Sequence, residues 1–295
     1  MNRLDESLSH WLRLREPADV SARSEALTRA IAAAIPSGEP VYALDLATGA
    51  GSNIRYLAER LPGRQRWLAV DRSADLLADL LERMSAWGAS KEYDVRIDGR
   101  VIAIRGPRLD CHIETLQMDL GTLSDRVLFA GRHLVTAAAL LDLVSESWLR
   151  ALATHCRAEG AAVLCTITYT GRSWCDPAEP EDDLVRELFN RHQKTDKLLG
   201  GPAAGPDAAE LAERCFADAG FLVRREPSDW TLDPADRDMQ RLLIDGWARA
   251  ATEVEPLQAP TIAAWHARRL AHVDAGRSRI GVGHDDIAAW LPHDA

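Results

Sequence analysis

The sequence predicts an α/β doubly wound sheet, mostly parallel, in one continuous domain spanning 1–295. Three observations predict it. Short apolar runs alternate along the chain with segments whose apolar residues repeat at helical spacing. The runs are apolar almost throughout, as in strands buried on both faces. A glycine loop, "LDLATGAGSN" (44–53), joins the first run to the helix after it.

Taken in order, residues 1–36 read as helical, with Leu27, Ile31 and Ile35 on one face, and Pro36, Gly38 and Pro40 end the segment. "VYALDLA" (41–47) is the first strand, and Ile54, Leu57, Ala58 and Leu61 give the next helix its apolar face. "RWLAVD" (66–71) is the second strand; Ser73 caps a helix carrying Leu76, Leu77, Leu80 and Met84. "DVRIDGRVIAIRG" places Asp98-Gly99 between two β-prone runs, so 91–109 reads as an inserted hairpin. "CHIETLQMDL" (111–120), "HLVTAAALLDLV" (133–144) and "AAVLCTITYTG" (161–171) are the third to fifth strands. Helices are expected at about 181–194 and at 207–219, the latter with Asp207 and Glu210 as a capping pair and Gly220 past its end. "FLVRRE" is a sixth strand. Two helices with a proline in the first turn (Pro234, Pro260) form an insertion at 234–275, and "SRIGVG" (278–283) supplies a last strand.

Composition narrows the function. A net charge of −10 over 295 residues argues against nucleic-acid binding driven by electrostatics. No apolar run is long enough to span a bilayer, and the first twenty residues carry no signal-like core, so a cytoplasmic protein is expected. The five cysteines form no CxxC pair and read as reduced thiols, Cys165 in the core; the nine histidines show no ligand spacing, so no metal is assigned.

In such sheets ligands bind beyond the carboxyl ends of the strands, where the topology reverses. Asp45, Gly49 and Gly51 lie at the first strand's end, Asp71 closes the second, Asp119 the third, and "AAALLD" follows the fourth. An acid at Asp71 can accept from both hydroxyls of a ribose, and one at Asp119 from an exocyclic adenine amine. Asp45 would be unwelcome beside a pyrophosphate and suits a cationic amine. A nicotinamide cofactor would call for a third glycine at position 54, which is Ile54.

"LDLATGAGSN", "WLAVDRS", "LQMDL" and "TAAALLDLV" resemble the successive cofactor motifs of the class I S-adenosylmethionine-dependent methyltransferases. The resemblance covers roughly 41–171 and, in element order, the rest of the chain. It implies a Rossmann-like methyltransferase sheet whose last strand is antiparallel, with S-adenosyl-L-methionine as cofactor. It also implies that Gly49 and Gly51 admit the methionine and ribose portions, that Asp71 holds the ribose and Asp119 the adenine amine, and that Asp45 orients the loop and the methionine amine. Ala47, Asn53, Arg72, Leu120 and Ala138 complete the implied cofactor set. A valine at Gly51 is therefore expected to impair binding with little loss of fold. No Asn/Asp-Pro-Pro-aromatic signature follows the fourth strand, which leaves the small-molecule branch. The implied reaction is methyl transfer to oxygen or nitrogen of a metabolite. The alternatives are a non-catalytic S-adenosylmethionine-binding module and a nicotinamide-dependent oxidoreductase.

Tyr169 and Arg172, after the fifth strand, and His192, on the following helix, are the acceptor-side candidates, Arg172 for an anionic group. His192 shares a helix face with Val185, Leu188 and Phe189, so it also reads as a half-buried core histidine. Asp142 reads equally as substrate-facing or solvated. Trp230 reads as packing, and Arg15 and Arg23, in the N-terminal helices, as solvated.

Overall fold

The computed structural model describes residues 3–36 and 40–292, with side chains from residue 8 onward. Gly38 lies outside the described residues. Two helices, α1 (Arg3–Ala22) and α2 (Glu25–Ala34), precede β1 (Val41–Leu46), α3 (Ser52–Ala58), β2 (Arg64–Asp71) and α4 (Ala74–Ser90). The chain then makes β3 (Asp94–Asp98), β4 (Val101–Gly106), β5 (Leu109–Gln117), β6 (Leu134–Ala138), α5 (Glu146–Glu159), β7 (Ala162–Asp176) and α6 (Asp182–Gln193). It closes with α7 (Ala208–Asp218), β8 (Leu222–Pro227), β9 (Trp230–Leu232), α8 (Arg237–Val254), α9 (Ala259–Asp274) and β10 (Arg279–Trp290).

These strands form one sheet in the order β3-β4-β5-β2-β1-β6-β7-β10-β8, with β9 also paired to β10. The five central strands β5, β2, β1, β6 and β7 are parallel. β10 runs antiparallel to both β7 and β8. This is a doubly wound, Rossmann-like sheet, mostly parallel, with an antiparallel last strand. The order reverses at β1, which has β2 on one side and β6 on the other, and that switch opens a crevice at the strands' carboxyl ends. β3 and β8 stand at the two edges.

Local chemistry explains where the elements begin and end. Ser24, Ser73 and Ser145 cap α2, α4 and α5, each hydroxyl accepting the backbone N–H three residues on. Gly160 ends α5 in the left-handed region at φ 70°. Both faces of the sheet are covered: Leu44, Leu46, Trp148 and Phe216 pack on one side, and Ala43, Leu57, Trp67 and Leu80 on the other. A third cluster of Val185, Ile244, Trp247 and Trp265 joins the α8–α9 insertion to β7 and α6. That joint includes an ion pair: Arg269 is fully buried, and its Nε donates to Asp182 at 2.9 Å, Nη1 to the Pro177 carbonyl at 2.5 Å, and Nη2 to the second Asp182 oxygen. No helix among the described residues is long and apolar enough to cross a membrane.

Several expectations are corrected. The fourth strand ends at Ala138, because Ala139 turns to φ 52° and Leu141–Leu143 is a 3-10 turn. A buried turn is as apolar as a strand, so composition did not separate them. The hairpin loop is Gly99-Arg100 rather than Asp98-Gly99, with Asp98 pairing Val101. Asp207 makes no capping bond; its carboxylate takes Lys194 at 2.7 Å. Pro234 lies in the turn before α8, whereas Pro260 is in the first turn of α9. β7 and β10 extend past their apolar runs because they pair with each other as far as Asp176 and Arg279.

Candidate functional site

The loop between β1 and α3 is built around Asp71. Its Oδ2 accepts the Gly49 N–H at 2.9 Å and its Oδ1 the Ser73 N–H at 2.9 Å, so one carboxylate joins the glycine loop to the start of α4. Thr48 N–H reaches back to the Val70 carbonyl, and Gly51 N–H to that of Thr48. Ala47, Gly49 and Gly51 all have positive φ, at 51°, 53° and 77°.

The two glycines differ in what they face. A Cβ on Gly49 would meet Leu12 of α1 at 3.1 Å, on the open side of the loop. A Cβ on Gly51 would instead lie 2.8 Å from Cγ of Leu80, in the core beneath α4. Gly51 therefore lines neither cavity over the loop, which corrects its expected place against the ligand. Gly51→Val should cost about 1–3 kcal/mol of stability through overpacking, the positive φ adding to this. Urea denaturation checks it; a variant with unaltered midpoint and weakened ligand binding would restore the original expectation.

Beneath the loop lies a buried polar network. Asp45 is wholly inaccessible; it accepts the Thr48 hydroxyl at 2.6 Å and Nδ2 of Asn53 at 2.7 Å. Burial raises its pKa to about 6 against the lowering effect of these bonds. Asn53 also donates to Thr136 Oγ1 and accepts from Arg23 at 2.5 Å. Asp45 and Asn53 both border a small cavity beside the loop, yet their polar atoms are engaged within the protein. Their role here is to shape the loop.

Above the loop runs a cavity of about 500 Å³. It gathers the ends of four parallel strands: Ala47 and Gly49 after β1, Asp71 and Arg72 at the end of β2, Asp119 and Leu120 after β5, and Ala138 as the last residue of β6. Asp119 is exposed, and one of its oxygens accepts the Gly121 N–H at 2.8 Å. α1 covers this cavity with Leu8, Trp11, Leu12 and Arg15. The helix is held down by Glu16, which takes both Nε and Nη2 of Arg55, and by Ser9, bonded to Asp79 and Arg83 on α4.

Arg15 and Arg23 are buried, contrary to expectation. Arg15 forks onto Asp19 at 3.0 and 3.1 Å and lies 5.0 Å from the ring of Trp230. Arg23 follows α1 and stacks over Tyr56 at 4.6 Å. Asp19 lies one turn from Arg15 on the same helix, but Trp230 beside Arg15 and the Asn53 amide and Tyr56 ring beside Arg23 come from elsewhere in the chain, and such partners do not appear in local periodicity.

The acceptor-side candidates do not converge. Tyr169 is buried, donates to Asn190 Oδ1 at 2.8 Å, and has its pKa pushed further up by desolvation; it borders neither cavity. Arg172 is exposed, bonds Asp229 at 3.3 Å, and lines a separate groove with Arg225 and Asp285. His192 lines a second cavity of about 690 Å³ between α6 and α8, which shares Leu8 and Trp11 with the first. Its Nε2 faces Glu253 at 3.2 Å. Asp142 is buried in the turn after β6, one carboxylate oxygen without a partner, and burial raises its pKa to about 6. Trp230 is packed against Trp11, edge to face. Lys197, overlooked in the sequence, lines the first cavity; it sits in the loop after α6, where periodicity carries no signal.

No protein-family model matches the chain, and no curated protein matches it. Solved structures do resemble it. A cyclopropane synthase from Mycobacterium tuberculosis is 12% identical with a TM-score of 0.45, over 89% of this chain and 83% of that one. A SAM-dependent methyltransferase from Thiobacillus denitrificans, in complex with S-adenosyl-L-homocysteine, is 15% identical with a TM-score of 0.42, over 92% and 93%. At such values the likeness says nothing about chemistry, which rests on the pocket's own residues.

Proposed function

We propose that this chain is an S-adenosylmethionine-dependent methyltransferase acting on an oxygen or nitrogen of a small metabolite. The observation that carries the reading is the bond between Asp71 and the Gly49 N–H. A phosphate site at a strand–helix turn needs free N–H groups and no competing anion. Here the loop amide already faces a carboxylate, with Asp45 buried below and Asp119 across the cavity. Such a lining disfavours a pyrophosphate and suits an adenosine carrying cationic groups. Asp71 would hold the ribose hydroxyls, Asp119 the adenine amine, and the loop shaped by Asp45 and Asn53 the methionine portion.

The cofactor supplies an electrophilic methyl group on a sulfonium. What the protein adds is chiefly alignment and the removal of water, which contribute up to ~7–11 kcal/mol in favourable systems. Leu8, Trp11 and Leu12 of α1, with Leu140 and Leu143 opposite, form the apolar walls that would exclude water.

S-adenosylhomocysteine at a hundred times its Kd should stabilise the native state by ~2.7 kcal/mol, which corresponds to a rise in Tm of roughly 4 °C for a chain of this length. NAD should leave Tm unmoved. A shift with NAD alone would overturn the reading; after a shift with S-adenosylhomocysteine, a screen of metabolite pools with labelled donor would identify the acceptor.

A further inference from the structure

A hydroxyl or protonated amine must lose a proton as it takes a methyl group, and we propose that Lys197 is the base that accepts it, discharging through His192 and Glu253. The inference rests on the methyl-transfer reading. Among the described residues, the ionisable side chains lining the covered cavity are those of Arg15, Asp71, Arg72, Asp119 and Lys197. A guanidinium does not give up its proton in proteins, which removes Arg15 and Arg72. Asp71 and Asp119, besides their bonds to the Gly49, Ser73 and Gly121 amides, are the groups assigned to the cofactor's ribose and adenine amine, away from the reacting methyl. Lys197 remains.

Its surroundings suit the task. Lys197 Nζ lies 2.8 Å from Thr195 Oγ1, 3.0 Å from the His192 carbonyl and 3.5 Å from His192 Nδ1. The other ring nitrogen of His192 faces Glu253 of α8. That carboxylate favours the tautomer with its proton on Nε2, leaving the Nδ1 lone pair toward the lysine. The charged groups acting on Lys197 are Glu253 from α8 and Asp142 from the turn after β6; Arg15 of α1, near Asp142, is itself paired with Asp19. Glu253 and Asp142 favour the ammonium, yet burial outweighs them and lowers the Lys197 pKa from its ordinary value.

The step balances. The acceptor's X–H bond breaks, its proton forms a new N–H bond at Nζ, and X keeps the electron pair with which it takes the methyl group. The ammonium then passes a proton to His192 Nδ1, while the Nε2 proton leaves by way of Glu253. Both His192 and Glu253 line the second cavity, so the proton reaches water away from the covered one.

The chain has three lysines, Lys91, Lys194 and Lys197, which makes the test direct. Lys91 and Lys194 pair with Glu59 and Asp207 at exposed positions and serve as internal references. Trace acetylation of the ligand-free protein across pH, read by mass spectrometry, should give Lys197 a lower midpoint than either of them. Equal midpoints would overturn the assignment whatever the cofactor proves to be. Lys197→Met should bind S-adenosylhomocysteine within about threefold of wild type and lose at least ~100-fold in kcat, the size of a general-base contribution. Lys197→Arg should not restore turnover, since it keeps the charge and cannot take the proton. Full activity in Lys197→Arg would sink the base role. Failure of the wild type to bind S-adenosylhomocysteine would instead overturn the methyltransferase reading, and the acetylation midpoints would still judge the lysine.

Discussion

Asp71→Ala is expected to weaken S-adenosylhomocysteine binding about a hundredfold or more. Hydrogen bonds to a charged acceptor contribute ~1.5–3 kcal/mol each, and two ribose hydroxyls are at stake, with each 1.4 kcal/mol worth a factor of ten. The variant also releases the Gly49 and Ser73 amides, so the loop loses the contact that shapes it. A 2′-deoxyribose analogue separates the two contributions. Wild type should bind it more weakly than the parent compound, whereas Asp71→Ala should barely distinguish them, because coupling vanishes once one partner is gone. If calorimetry finds that the variant discriminates as well as wild type does, Asp71 serves the loop alone and the cofactor sits elsewhere.

Arg269→Ala should destabilise the protein by about 3–5 kcal/mol, the usual consequence of leaving one half of a buried ion pair without the other. Asp182 would keep the indole N–H of Trp265 and the backbone N–H of Glu179 but lose its counter-charge, and the Pro177 carbonyl would lose its donor. The double replacement Arg269→Met with Asp182→Leu should cost less than Arg269→Ala, since no stranded charge remains. Urea denaturation gives both values. A loss under about 1 kcal/mol in Arg269→Ala would show that water reaches the joint and solvates Asp182.

How much of this was legible in the sequence depended on how local each determinant is. The central strands and Asp71, the last residue of β2, were readable because a buried parallel strand is a largely apolar run; Asp119, expected to close the third strand, lies two residues past β5, which ends at Gln117. The direction in which Gly51 would project a side chain was not readable, because it depends on Leu80, nearly thirty residues away. Arg15 and Arg23 were misjudged for a related reason. A buried arginine needs distant partners, here Trp230 across the fold for Arg15 and Asn53 for Arg23. Arg172 was placed at the correct strand but on a long β7 whose extension carries it to a separate groove. Lys197 escaped notice because loop residues have no period from which a facing can be inferred.

The sheet has two open rims, and an exposed rim of unpaired amides and carbonyls is an invitation for another chain to add a strand. At one rim β3 alternates Asp94, Arg96 and Asp98, three exposed charges in five residues. At the other, β8 carries Arg224, Arg225 and Glu226 and ends in Pro227, which has no N–H to offer. A strand arriving at either rim would have to desolvate these groups without compensation. A sheet nine strands across, with β9 sharing β10 with β8, thus resists edge-to-edge growth, and crowded conditions should favour separate molecules over stacked or fibrous ones.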